Sequence, residues 1–275
     1  MPTPTTHTTA ARTLVLASTL MLALIGVPAA ASEASAPQGP DLAKETRWRS
    51  QIVDSLMDGE AVDLTAEGVT FLGLYTEADE ETGRGAIIVH GIGVHPNWPQ
   101  VVYPLRTALP ADGWSTLSVQ MPVLPNEAAD KDYAPLMAAV APRLDAAVAY
   151  LKAHGAERVA IIAHSLGATM ANTYIAENPR AIDAYVAVGM SSGGTHAGQD
   201  NNALVGKITT PMLDLFGEND LESVVSAAPA RAEAGSVNSG YHQAQVPGAD
   251  HFFDGHEEAL VDTVTKWLDQ TVPAP

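Results

Sequence analysis

Short apolar runs alternate with longer stretches in which apolar residues recur every three or four positions. "VTFLGLY" (69–75) reads as an early strand, closed by the acidic run Glu77 to Glu81. "GAIIVHG" (85–91) is an unbroken apolar run, the kind buried on both faces of a parallel sheet. "WSTLSVQM" (114–121), "RVAIIAH" (158–164), "AIDAYVAVGM" (181–190), "PMLDLFG" (211–217) and "YHQAQV" (241–246) extend the strand series. Helical spacing lies between them. In "PNWPQVVYPLRTAL" Asn97 is placed to cap a helix, Pro99 falls near its first turn, and Pro104 is expected to kink it. Met137, Val140, Leu144, Val148 and Leu151 keep a three-to-four spacing that Gly155 stops, with Pro142 marking a break. "LGATMANTYIAEN" follows the 158–164 strand, and "EEALVDTVTKWLDQ" places Leu260, Val264, Trp267 and Leu268 on one face.

Strands alternating with helices over some two hundred residues predict an α/β fold with a mostly parallel sheet covered on both faces. No composition break or internal repeat interrupts it, so residues 45–275 read as one domain, opening with a short helix over 45–58. Residues 32–44, small, polar and Pro/Gly-containing, read as a linker. Before them lies a secretory signal, residues 1–31. "MPTPTTHTTAAR" is polar with one cation, "TLVLASTLMLALIGV" (13–27) is a short apolar core, and Ala29-Ala30-Ala31 offers a cleavage site before Ser32. The core is shorter than a membrane span and no positive cluster follows it. A periplasmic or secreted chain without a membrane anchor is expected.

Charge and cysteine usage narrow the function. Fourteen Lys and Arg stand against 32 Asp and Glu, a net charge of −18. Such a surface repels polyanions, which excludes a general nucleic-acid binder. Two origins fit the acidity: a solubility device, and a high-salt habitat. The chain has no cysteine, which removes disulfides, thiolate chemistry, Cys-based zinc sites and a lipidated-cysteine anchor together.

The chemistry centres on "VAIIAHSLGATMAN" (159–172). Ser165 sits at the carboxyl end of a predicted central strand and the amino end of a helix, the edge where open α/β sheets bind ligands. This nearly matches the G-x-S-x-G nucleophile elbow, with Ala163 in place of the first glycine. A serine that merely caps the helix is the other reading. Leu166 is positioned to give its backbone N–H to a developing oxyanion. A second donor is expected in the loop "HGIG" (90–93), with Ile92 first and Gly91 or Gly93 next. His90 and His95 raise a metal site, but no further ligand set completes it, and a loop-shaping histidine bonded to backbone is preferred.

A hydroxyl nucleophile needs a base, and the base an orienting acid. "LDLFGENDLES" offers Asp220 in the loop, then Glu218, then Asp214 inside the strand. "VPGADHFFDGHEE" offers His251, directly after the last strand, with two phenylalanines to wall it off. His256 belongs to the final helix. His164 lines the pocket or packs, and Gly91 and Gly93 join it as candidate substrate-binding positions. His154 and His242 read as structural.

The order Ser165, Asp220, His251 is the one that α/β-hydrolases use. The chain resembles that superfamily from about residue 68 to 270. Within it, "HGIGVHPNWPQVVYPLRTALPADGWSTLSVQMPVLP" looks like a poorly characterised bacterial group of exported members without a large lid. The resemblance implies a single-domain α/β-hydrolase fold with little or no cap, since only about twenty residues separate the strands at 182–190 and 211. It implies a serine hydrolase that cleaves a carboxylic ester, or a thioester or amide, by an acyl-enzyme. Ser165 is then the nucleophile, His251 the base, Asp220 its orienting acid, and Ile92 and Leu166 the oxyanion donors. No metal or cofactor is expected. The partner is a small or polymeric acyl ester, and oligomeric state is left open. Two rivals keep the same scaffold: a non-catalytic binding or envelope protein, and an acyltransferase using the same triad.

Overall fold

The computed structural model describes residues 39–274, with Met1, Pro2 and Pro4 beside them. The chain divides into Met1–Ser35 and a folded unit, Ala36–Pro275. Apart from those three terminal residues, the expected signal segment lies outside the described residues.

In chain order the elements are α1 (Leu42–Ser55), β1 (Glu60–Ala66), β2 (Val69–Thr76), β3 (Arg84–Val89), α2 (Val102–Ala108), β4 (Trp114–Val119), α3 (Val140–Ala153), β5 (Arg158–His164), α4 (Leu166–Glu177) and β6 (Ala184–Val188). Then follow β7 (Thr195–His196), β8 (Gln199–Asp200), α5 (Asn201–Val205), β9 (Met212–Asn219), α6 (Glu222–Val225), α7 (Ala228–Gly235), β10 (Tyr241–Asp250) and α8 (Glu257–Thr271). Eight strands form one sheet in the order β1-β2-β4-β3-β5-β6-β9-β10. β2 runs antiparallel to both β1 and β4, and the remaining neighbours are parallel.

The apolar runs follow from burial on both faces. Ile87, Val89, Leu117, Val119, Ile161 and Ala163 point into one core layer, which α3 and α4 close with Leu144, Leu151, Met170 and Tyr174. Ala86, Ile88, Ala160, Ile162, Val186 and Val188 point into the other, closed by Leu105 of α2 and Leu260, Val264 and Leu268 of α8. Burying one such Val, Ile or Leu contributes about 1.5–3 kcal/mol. The central strands therefore anchor the fold.

Several local expectations change. α1 begins at Leu42, capped by Asp41, whose carboxylate accepts from the Lys44 N–H at 2.9 Å. The last residues of the stretch read as a linker thus belong to the helix. Asn97 does not cap α2, which starts at Val102; its side-chain oxygen accepts from Arg106 instead, at 2.9 and 3.1 Å. Pro104 lies in the first turn of α2, where a missing N–H costs nothing. The break before Pro142 is a run of 3₁₀ turns over Asp130–Ala139, and Pro142 itself falls in the first turn of α3. β1 was not expected. It is an edge strand with only Leu64 buried, and it turns into β2 through Glu67 and Gly68 at φ 49° and 78°.

Between β6 and β9 the chain adds only the short β7–β8 hairpin and α5. Among the described residues the carboxyl edge of the sheet carries no cap domain.

Candidate active site

β5 ends at His164 and α4 begins at Leu166, so Ser165 alone makes the turn. It does so at φ 55° and ψ −121°, a strained conformation for a residue with a side chain. The Ser165 N–H donates to the Val188 carbonyl at 2.9 Å, which ties the turn to β6. Its hydroxyl caps nothing in α4. The helix-cap reading of Ser165 therefore does not describe its side chain.

The neighbouring positions explain the tight turn. A Cβ on Gly167 would lie 2.5 Å from the His90 carbonyl oxygen and 2.9 Å from that of Val89, so backbone crowding demands glycine. Ala163 is fully buried and stands in register between Val89 and Ala187. There a single methyl is accommodated as part of the core.

The Ser165 Oγ lies 3.0 Å from His251 Nε2, and His251 Nδ1 lies 2.6 Å from an Asp220 carboxylate oxygen. Beside a carboxylate, Nδ1 carries the proton, and Nε2 is left to accept from the serine hydroxyl. Both side chains are almost wholly buried. Asp220 directly follows β9 and is held by the Leu221 N–H at 2.7 Å. His251 directly follows β10, with Phe252 edge-on to its ring at 5.1 Å, while Phe253 is buried in the core. Of the other acids considered, Glu218 is exposed and accepts from the Gly248 N–H. Asp214 is sealed in β9 against Arg231.

His90 and His164 shape the surroundings. The Met121 N–H donates to His90 Nε2 at 3.0 Å, so Nδ1 carries the proton and donates to the Gly91 carbonyl at 2.8 Å. Burial pushes the His90 pKa down to about 3, and the ring stays neutral. His164 donates through Nε2 to the His251 carbonyl at 3.0 Å, and its ring lies 4.8 Å from that of His251. Burial, and then the neighbouring His251, push the His164 pKa down to about 4. Among the described residues no cluster of three His, Asp or Glu side chains is arranged to hold a metal ion.

The loop after β3 presses on the elbow. A Cβ on Gly91 would come 3.2 Å from Ser165 Cβ and 3.3 Å from His164 Nδ1. Among the described residues the backbone N–H groups of Ile92 and Leu166 have no protein acceptor outside regular structure, and Leu166, as the first residue of α4, has none within its helix. Gly91 and His164 line a cavity of about 270 Å³ at Ser165. Gly93 lines a neighbouring cleft with Trp48 and Trp98.

Residues that sequence reasoning passed over also build the site. Gly189, directly after β6 at φ 60°, leaves room beneath the histidine: a Cβ there would lie 3.0 Å from the His251 ring and 3.3 Å from Asp220. A glycine closing a buried strand was its only sequence signal. Trp98, Val94 and Leu221 complete the cavity together with Phe252, one of the two phenylalanines expected to wall off His251.

A strained serine on a strand-to-helix turn, with an imidazole and a buried carboxylate on successive strand ends of a mostly parallel sheet, is the arrangement of the α/β-hydrolase fold. The chain belongs to the family described as protein of unknown function (DUF3530), whose model matches residues 12–136 and 125–270. No curated protein matches the chain. Solved structures share its fold at low identity. Est1E from Butyrivibrio proteoclasticus has a TM-score of 0.61 and 16% identity, covering 77% of this chain and 98% of that one. A dienelactone hydrolase from Anabaena variabilis has a TM-score of 0.62 and 19% identity, covering 77% and 97%. XC6422 from Xanthomonas campestris, a serine hydrolase of this fold without a lid, has a TM-score of 0.61 and 15% identity, covering 80% and 97%.

Proposed function

We propose that the protein is a serine hydrolase that cleaves a carboxylic ester through an acyl-enzyme and acts after export. The observation that carries this reading is the unbroken chain from Ser165 Oγ through His251 to Asp220, at 3.0 and 2.6 Å. Kinship in fold with Est1E and a dienelactone hydrolase supports hydrolytic chemistry. The apolar segment 13–27 and the small residues after it support export.

Ser165 Oγ bonds to the ester carbonyl carbon while His251 Nε2 takes the hydroxyl proton. The carbonyl oxygen becomes an oxyanion, held by the N–H groups of Ile92 and Leu166, each worth about 3 kcal/mol of barrier. As the carbon–oxygen bond to the alcohol breaks, His251 passes its proton to the leaving oxygen. Water then attacks the acyl-enzyme, gives its proton to His251 and releases the acid, and the proton returns to Ser165. Throughout, Asp220 orients the ring and stabilises its charged form.

The test is hydrolysis of short-chain 4-nitrophenyl esters by the parent and by Ser165→Ala. The substitution is expected to lower kcat about 10⁶-fold. Hydrolysis by Ser165→Ala at the parent rate overturns the assignment.

A further inference from the structure

Two cavities of unequal polarity meet at Ser165. The first, of about 270 Å³, is apolar and is lined by His251, Phe252, Leu221, Trp98 and Val94. The second, of about 200 Å³ and the more polar of the two, sets the hydrogen-bonding groups of Asp130, His196, Thr169, Ser191 and Ser223 beside the apolar side chain of Leu166. Ile92 and Ser165 border both.

A carbonyl carbon joined to Ser165 Oγ carries three other substituents in the tetrahedral intermediate: the oxyanion, the leaving oxygen and the acyl chain. The oxyanion turns to the N–H groups of Ile92 and Leu166. The leaving oxygen must face His251, because His251 supplies its proton. His251 borders the apolar cavity and not the polar one. The alcohol therefore enters the apolar cavity, and the acyl chain is left with the polar one.

The polar cavity has hydrogen-bonding capacity to spare. Thr169 Oγ1, at the buried end, accepts from Asn201 at 2.9 Å, which leaves its own hydrogen free. The Ser191 and Ser223 hydroxyls lie 3.0 Å apart, and the pair has one hydrogen in excess. Asp130 is 39% exposed at the outer end, and one of its oxygens accepts from the Ala197 N–H at 2.9 Å. Among the described residues its other oxygen has no partner. An alkyl chain would strip water from these groups and offer nothing in return.

We propose that the substrate is an ester of a short, polar acyl group with an apolar alcohol. The acyl group carries a hydroxyl or ammonium donor for Asp130, and it accepts from Thr169 or the serine pair. This rests on the hydrolase reading above, and it assigns each half of the ester to a cavity.

The test is a matrix of esters. 4-Nitrophenyl 3-hydroxybutyrate and 3-aminobutyrate are compared with 4-nitrophenyl butyrate for the acyl side. Hexyl and 2-hydroxyethyl 3-hydroxybutyrate are compared for the alcohol side. The readout is the ratio of kcat/KM within each comparison, with active enzyme counted by fluorophosphonate labelling of Ser165. In the parent the ratio is expected to favour at least one of the donor-bearing acyl groups by about tenfold, the effect of one hydrogen bond to a charged carboxylate. Asp130→Ala and Ser223→Ala should each draw the acyl ratio toward one and leave the alcohol ratio alone. Leu221→Ser should do the reverse. A parent that prefers butyrate, or variants whose effects are exchanged or absent, overturns the assignment while the hydrolase reading stands. A parent that hydrolyses no ester of either kind overturns both.

Discussion

One strand and the loop directly after it carry two buried aspartates with opposite tasks. Asp214 lies inside β9 and is fully buried with Arg231, whose Nε donates to it at 2.8 Å. Tyr241 and Gln243 of β10 donate to the same oxygen, also at 2.8 Å. Asp214 Oδ1 and Arg231 Nη2 are buried without a hydrogen-bond partner among the described residues, and neither side chain lines the cavities at Ser165. Asp220, one step past the strand, has the Leu221 N–H and His251 for partners, and through His251 it reaches Ser165. The same carboxylate is thus a lock in mid-strand and, in the proposed hydrolase, an orienting group at the sheet edge. Position along the strand, more than residue type, divides the two roles.

The widest expected split comes from Asp220→Asn. It keeps the shape but loses the charge that fixes the Nδ1–H tautomer, so kcat should fall about 10⁴-fold. Thermal unfolding should stay close to the parent's. An asparagine variant with near-parent kcat would mean that Asp220 only fills space.

Asp214→Ala should do the opposite. It leaves Arg231 charged and unpaired in the core, at a cost of about 3–5 kcal/mol in stability. The rate per folded molecule, counted by fluorophosphonate labelling, should stay within a few-fold of the parent. A loss of rate with unchanged denaturant midpoint would merge the two aspartates into one function.

The smallest effect sharpens the electrostatic side. His164 is held neutral, its pKa lowered from 6.5 to about 4 by burial and by His251. An unfolded chain binds a proton at this residue below pH 6.5, and the folded one binds it only near pH 4. The ring therefore contributes stability that is present above pH 6.5 and lost as pH falls toward 4. The melting temperature of the parent should drop more over that interval than that of His164→Gln. Equal drops in both would show that the ring is free to charge in the fold.

Legibility in the sequence followed burial. β3, β5 and β6 are covered on both faces, so their sequences became unbroken apolar runs that can be read without a structure. β1 buries Leu64 and little else at the sheet's edge, so its sequence carried almost no pattern. Ser165, Asp220 and His251 were legible as candidates because each follows a readable strand. Asn97 was misread as a cap because its local sequence fits one. Its actual partner, Arg106, is fully buried and also donates to the Asp58 carbonyl, a contact that only the folded chain supplies.

By itself the sequence determined the alternation of strands and helices, the parallel sheet, and which polar side chains stand at its carboxyl edge. These are local properties, written by burial period and by chain order. The tertiary structure decided that the Ser165 hydroxyl faces His251 and not its own helix, that Gly189 leaves space beneath the imidazole, and that two unlike cavities share the serine. Those facts depend on distances between segments far apart in the chain. Local pattern holds no record of them, because a side chain's partner is chosen by packing in three dimensions.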